Sequence, residues 1–518
     1  MRAKSIKHVA AIVAVLFVVS GLAALAAPAP PRKPFIWAFS RGPAALVPWE
    51  YLGSPEHQLI QYSIFQNLVR FRPNSLEVEP NFARRWEVSP DGKVYTFHLR
   101  DDVFCHDDAG KITAEDAAFA FQILMDPSKR TYRSGSLSGI VSKVEVASEY
   151  VLRVTLERPM PSFLAAHVAK PHLSIVCKDA VDRLGLDEFA RRPVGAGPYK
   201  VVSYERNGPV TLKAHERFFR GRPQIEDFRL VIIPEEIVQA LALSKDEINF
   251  MVIREQETAK LLSRLSTVTV VRDFKRPQSM FWLQINTNRA PTNDVRVRQA
   301  MLYALDREAI RRQLVSELAD SVANSVVIPT LFGYTDQVKK YEYNPQRARS
   351  LLEAAGHGRG ISVDVVLIGT GSFPAVAQAV HAQWAKVGIN ATLHVLDRNQ
   401  WQQRAQNGDY HVFVWETSRA DIDEHLYETY HSSYKPPRIW NVSYYSGVDD
   451  LLERETVETD SARRRSLIEQ IQRKIAEDAV TIPMWYTVGV TASRSYIQGN
   501  VANVGIWVVW PELYRMTQ

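Results

Sequence analysis

The chain has 518 residues, 23% of them charged and 46% hydrophobic, with a formal charge of +6. That length exceeds what one ordinary core encloses and predicts two or more lobes. Arg2, Lys4 and Lys7 supply three of the positive charges, and the +3 left without them is too weak to indicate a nucleic-acid partner.

After those three cations, an apolar run from Val9 to Ala26 ends in Ala24 and Ala26, with Pro28, Pro30 and Pro31 beyond. A basic start, an apolar middle and small residues at the end predict a secretory signal peptide over 1–26, cleaved after Ala26. No cysteine lies near that site, so no lipoprotein anchor is expected, and a free exported protein points to a periplasm. No later apolar run is long enough to span a membrane. Cys105 and Cys177 are the two cysteines. In an oxidising compartment they either pair or stay as two buried thiols.

Trp86 to Asp102 reads as strand, turn, strand. Pro90-Asp-Gly92 closes the turn, and Val94, Thr96 and His98 alternate with Tyr95, Phe97 and Leu99 at the two-residue period of a half-buried strand. Thr113 and Asp116 have capping-box spacing, and Ala114, Ala117, Ala118, Phe121 and Met125 follow at helical spacing up to Asp126-Pro127. Further on, Asp294 caps a helix with a buried stripe of Val297, Ala300, Met301, Ala304 and Leu305, which leaves Arg296 and Arg298 solvated or paired structurally. Asn344-Pro345 opens another helix, with Ala348, Leu351, Leu352 and Ala355 on its apolar stripe and Gly356 as its stop. Ile361 to Ile368 is a strand, Ser372 and Pro374 start a helix that Gly388 closes, and Ile389 to Leu396 is a second strand. That order is a βαβ unit and predicts a parallel sheet covered by helices. His411 to Trp415 alternates as one more strand.

Enzyme and metal motifs are weak. Gly369-Thr-Gly371 half-matches a dinucleotide turn, but Pro374 stands where the third glycine belongs. Cys105-His-Asp-Asp108, and Asp423, Glu424, His425 and His431, lack zinc-site spacing. There is no Gly-x-Ser-x-Gly elbow, Cys-x-x-Cys or P-loop.

The hairpin from Trp86 and the Thr113-Ala-Glu-Asp116 helix start resemble the signature of the periplasmic solute-binding proteins of the peptide/nickel ABC transporter family (family 5, cluster C). Val194-Gly-Ala-Gly-Pro-Tyr-Lys200 resembles that family's glycine-rich turn, with Ala196 in place of threonine. Phe218-Phe-Arg-Gly-Arg-Pro223, Asn286 to Pro291, Asp294-Val-Arg-Val-Arg-Gln-Ala300, Ala304-Leu-Asp-Arg-Glu308 and Gly388-Ile-Asn390 follow in the family's order. The resemblance runs from about Phe65 to the late four hundreds.

It implies an α/β, two-lobed periplasmic-binding-protein fold with a hinge of two crossing segments, for which Phe281 to Asn286 and Val480 to Trp485 are the candidates. The first lobe, itself subdivided, would span 27–280 and the second 285–480, with 485–518 returning to the first. A ligand would sit between the lobes and be enclosed by hinge closure. The implied function is capture of peptides or peptide-like compounds for the permease subunits of an ABC importer, by a monomer with no cofactor and no catalytic step. Nickel chelates, opines and oligosaccharides are alternative cargoes of the scaffold. A secreted hydrolase with an unrecognised site and a periplasmic sensor or chaperone are readings from other classes.

The resemblance also singles out Asp421, in Trp415-Glu-Thr-Ser-Arg-Ala-Asp-Ile-Asp-Glu424, as the partner of a peptide's α-ammonium. A buried carboxylate needs a cation or several donors. The alternative is that Asp421 and Asp423 are helix-start caps near the surface; the ligand role is the reading preferred for Asp421, and Asp423 stays open. Ile422, Asp423 and His425 depart from the family's tyrosine, asparagine and proline, and a second carboxylate at Asp423 would favour a more cationic ligand. Trp401 and Trp415 are candidate walls of a side-chain pocket, or core. Arg419 would either meet a ligand carboxylate or pair with Asp421. No residue is singled out to fix a ligand's C-terminus.

Overall fold

The computed structural model describes residues 33–50, 55–73, 75–129, 131, 133–273, 277–417, 419, 421–438, 440–499 and 511–517. The signal peptide expected over 1–26, and Ser418 and Ala420 beside Arg419, lie outside them.

The turn at Pro90 closes through Gly92 N–H donating to Ser89 O at 2.8 Å, with Gly92 at φ +70°. Strands Ala83–Val88 and Val94–Leu99 then pair antiparallel, Trp86 opposite Phe97 and Val88 opposite Tyr95. Tyr95, Phe97 and Leu99 are buried while their alternates are half-exposed, which is the period read from the sequence. Val151–Leu156 and Val141–Ser148 complete a four-stranded antiparallel sheet. Helix Ala114–Met125 packs on it, opened by the predicted capping box: Asp116 accepts from Thr113 N at 2.7 Å, and Thr113 Oγ1 from Glu115 N. Asp116 also accepts from Lys178 N at 2.8 Å, a tertiary bond that the local pattern does not announce.

Two larger sheets organise the rest. Seven strands lie in the order Val268–Arg272, Val490–Arg494, Phe250–Ile253, Phe35–Phe39, Asp227–Ile232, Val210–Ala214, Tyr199–Tyr204. Six lie in the order Ala319–Val322, Thr481–Thr487, Ser279–Ile285, Val412–Thr417, Ile361–Ile368, Ile389–Leu396. The chain leaves the first sheet after Arg272 and enters the second at Ser279; it returns from Thr487 to Val490. The two candidate crossovers are therefore neighbouring strands of the second sheet, with Phe281 opposite Trp485 and their rings stacked at 5.0 Å. The first sheet's strands end at Arg272 and resume at Val490, just outside these two segments. The four-stranded sheet is separate from both larger sheets.

The βαβ unit is Ile361–Ile368, helix Phe373–Ala385 and Ile389–Leu396, its strands parallel over eight residue pairs. Gly360 and Gly388 meet where the strands begin: a Cβ on Gly360 would lie 2.5 Å from Gly388 O, and both residues have positive φ. No side chain fits there. Val412–Thr417 runs parallel to Ile361–Ile368, so three strands share one carboxyl edge, the edge at which open α/β sheets bind ligands.

The arginines of the Asp294 helix are structural. Arg296 pairs with Asp294 and donates to Ala354 O, while the buried Arg298 donates to the carbonyls of Thr292, Asn293 and Asp478. Cys105 and Cys177 are joined by a disulfide, with Cα atoms 6.2 Å apart. Among the described residues no helix is long and apolar enough to cross a membrane.

Candidate functional site

The carboxyl edge of Val412–Thr417 leads through Arg419 to Asp421, the cap of helix Ile422–Tyr430. Asp421 Oδ1 accepts from the backbone N–H of Asp423 at 3.0 Å and of Glu424 at 3.1 Å. Asp421 is a cap, but not a surface one: the residue is 4% exposed. Burial, and next to it the Asp423 carboxylate, push its carboxyl up to about 7, against the pull of Lys170 and Arg464.

Both oxygens of Asp423 are engaged by protein groups. It accepts from Arg464 Nη2 on one oxygen and from Ser162 Oγ on the other. Arg464 Nε also donates to Glu455 Oε1 at 2.8 Å, and Glu455 is 0% exposed. Burial and the nearby Asp423 push Glu455 up to about 10, so it keeps its proton at neutral pH. Ser162 precedes the turn Leu164–Val168, whereas Asp423, Glu455 and Arg464 lie on the helices Ile422–Tyr430, Asp449–Val457 and Ser461–Glu477, so this cluster joins segments far apart in the chain.

A second polar bridge lies beside it. Lys170 Nζ, on the first lobe, reaches Glu424 Oε2 at 2.8 Å. Arg419 donates to Glu424 at 3.3 Å and to Glu428 at 3.0 Å, and stacks over Trp440 at 4.5 Å. Among the described residues Arg419 pairs with these two glutamates. Burial opposes ionisation of Glu424, but Lys170 and Arg419 overcome it and hold the carboxyl well below the usual range. Burial pushes Glu428 up to about 7 despite Arg419.

The tryptophans form a layered wall. Trp401, 2% exposed, lies behind Trp415, their rings stacked 4.4 Å apart at 12°. Trp415 is half-buried and meets Trp440 edge-on at 6.3 Å. Together with Trp282, Phe413, Thr417 and Arg419, Trp415 and Trp440 line a small pocket. Trp401 is thus the core support, and Trp415 is the one with a face to offer.

The metal readings dissolve. His425 Nε2 donates to Val326 O at 2.6 Å and the ring stacks on Trp282, while His431 turns to Ser433 and Glu453. Cys105 is in the disulfide, His106 is bonded to Gly197 O, and Asp107 and Asp108 pair outward with Lys200 and Arg217. Among the described residues no three His, Cys, Asp or Glu side chains gather as metal ligands.

Sequence reasoning missed Ser162 and Lys170, which meet the acids of the Asp421 helix. The stretch from Phe163 to Val176 is apolar apart from Ser162 at its edge, His167, Lys170, His172 and Ser174. A lysine inside such a run was the available signal, since a lysine is almost never fully buried without a partner.

Residues 77–436 match the family described as bacterial extracellular solute-binding proteins, family 5. Heme-binding protein A of Haemophilus influenzae is 27% identical over 497 residues, covering 90% of this chain and 89% of that one. The dipeptide-binding protein of Escherichia coli is 26% identical over 500 residues, covering 91% and 92%. Among solved structures, the ABC transporter-associated periplasmic binding protein DppA of Helicobacter pylori, in complex with the peptide STSA, superposes with a TM-score of 0.79 at 25% identity, covering 93% of this chain and 98% of that one.

Proposed function

The chain belongs to the bacterial extracellular solute-binding proteins of family 5, and from that premise we propose that it captures short peptides or peptide-like compounds between its lobes for the permease of an ABC importer. It works in the periplasm as a monomer, released from its signal peptide and without a lipid anchor. The lobes divide near 280 and 485. Binding is its whole task, with no catalytic step.

The observation that carries this reading is Asp421. Its carboxylate is buried at the lobe junction and satisfied on one oxygen by two helix N–H groups. Its raised pKa means that ionisation is opposed in the unliganded protein. A ligand ammonium arriving there supplies the missing positive charge, and the pair then forms in a water-poor site, where a charge-assisted hydrogen bond is strong. Trp415 and Trp440 offer flat apolar faces that tolerate varied side chains, as a broad-specificity peptide site requires. Peptide binders among the relatives agree with this, and the heme-binding relative names the cargo to exclude.

The test is Asp421→Asn, because asparagine caps a helix as well as aspartate and removes only the charge. Calorimetry with short peptides is expected to show a loss of about tenfold or more for free N-termini. Unchanged affinity would overturn the ammonium role of Asp421. Hydrolysis of the peptides during the titration would overturn the non-catalytic reading.

A further inference from the structure

Asp421 and its neighbours are covered by the protein's own residues, and the covering segment comes from far along the chain. Residues 157–172 leave the end of strand Val151–Leu156 and lie against the start of helix Ile422–Tyr430. Ser162 Oγ donates to Asp423, and Lys170 Nζ reaches Glu424 at 2.8 Å. Arg158 lies near enough to the Tyr427 hydroxyl to act on it. At the rim, Thr459 and Pro159 close on Gly92: a Cβ there would lie 3.2 Å from Thr459 Cγ2 and 3.3 Å from Pro159 Cβ. The segment is fixed from behind, because Asn67 Nδ2 donates to Val168 O at 3.0 Å and to Lys170 O at 2.7 Å, and Tyr62 OH to Ala169 O at 2.7 Å. It therefore moves as one piece with its own side of the molecule.

Two features suit this contact to parting. One is its polarity. The buried apolar cluster around Phe97 and Phe163 is separate from the one around Ile422 and Ile468, and the half-buried Leu76 touches both. Drawing the two apart exposes little apolar surface. The other is that each acid has a second partner behind it. When Ser162 and Lys170 leave, Asp423 keeps Arg464 and Glu424 keeps Arg419. Lys170, buried while tied, moves into water. Neither acid is stranded, so release avoids the large cost of an uncompensated buried charge.

We infer that residues 157–172 form a strap that by itself holds the protein shut over Asp421, and that Ser162–Asp423 and Lys170–Glu424 part before a ligand enters. The strap rests on the two-lobed fold and is independent of the cargo; only its consequence for peptides rests on the reading of Asp421 above. The same ties close again over a bound ligand. They favour the shut form with and without ligand, so they set the speed of exchange more than the affinity.

The experiment uses the full mature protein, stripped of bound small molecules by unfolding and refolding. Spin labels are carried on Ala147→Cys and Gln470→Cys, exposed positions on strand Val141–Ser148 and helix Ser461–Glu477; the two native cysteines are bonded to each other. Pulsed double-resonance distances at neutral pH are expected to show one dominant short separation with Ser162 in place. Ser162→Ala removes one hydrogen bond to a charged group, and the share of a longer separation should rise about tenfold. A protein already mainly at the longer separation with Ser162 in place would overturn the strap without any Ser162 variant needing to fold. Identical distributions for Ser162 and Ser162→Ala would overturn it too. With the dipeptide Ala-Phe as probe, stopped-flow association and dissociation constants should both rise several-fold in Ser162→Ala, with Kd held within about twofold. A raised Kd with unchanged association would mark Ser162 as a ligand contact and sink the strap. Failure of the wild type to bind Ala-Phe or other short peptides counts against the peptide reading alone, since the distances still decide the strap.

Discussion

Arg464→Met tests whether the cluster between Ser162 and Glu455 is structural. In the wild type one guanidinium serves two acids, Asp423 and Glu455, all three largely buried. Methionine preserves most of the stem's packing and removes the charge. Glu455 already holds its proton, so its loss is one hydrogen bond. Asp423 keeps Ser162 Oγ and loses the guanidinium that, among the described residues, is its ion-pair partner. An uncompensated buried carboxylate costs about 3–5 kcal/mol when its partner is removed. Urea denaturation at pH 7.5 should show a loss of that order in Arg464→Met. In the double variant Asp423→Asn/Arg464→Met no charge is stranded, so most of the loss should return, giving a coupling of about 2 kcal/mol or more between the two sites. A single-variant cost below about 1 kcal/mol, or a double variant as unstable as the sum of the singles, would refute the reasoning and reopen Asp423 as a ligand contact.

Three further outcomes follow from the same structure. Cys105 and Cys177 enclose a loop of sequence separation 72, and closing it stabilises by about 4 kcal/mol on the chain-entropy account; alkylation mass spectrometry should find no thiol before reduction, and reductant should lower the urea midpoint. Burial holds His106 down to about 3, so its contribution to stability is full above the unfolded value of 6.5 and fades as pH falls toward 3; His106→Gln should therefore lessen the stability lost between pH 6.5 and pH 5 by about 2 kcal/mol, and an identical loss would contradict this. Asp421 is shifted the other way, so its contribution fades as pH rises through about 7; Asp421→Asn should be at least as stable as wild type at pH 8.5, by of order 1 kcal/mol, even though it binds worse, and a clear destabilisation there would count against the buried-charge argument.

What the sequence disclosed was local. The Thr113–Asp116 box, the Gly92 turn, the Asp294 and Asn344 caps and the βαβ unit each follow from contacts within a few residues, and the structure has them all. The cap and ligand readings of Asp421 were both open because the pattern that starts a helix is blind to what lies opposite. Burial at the lobe junction separates the residue from a surface cap. The pairs that define the cleft were invisible for the same reason: Lys170 meets Glu424 across 254 residues and Ser162 meets Asp423 across 261. Arg419 was placed on the right approach, yet its partners, Glu424 and Glu428, come from the next helix turns, and choosing between them and Asp421 needed the helix axis. Trp401 sits among polar neighbours and Trp415 ends an apolar strand, a pattern that hides Trp401's burial; only the stack shows which lies behind.

The central claim is that the protein holds a short peptide by its free α-ammonium at Asp421. The most direct measurement is to purify the exported protein from its native host, unfold it gently and identify what it releases by mass spectrometry. The account predicts short peptides with free ends, in stoichiometric amount, absent from Asp421→Asn prepared in the same way. A haem, sugar, opine or metal chelate released in their place, or peptides equally retained by Asp421→Asn, would contradict it.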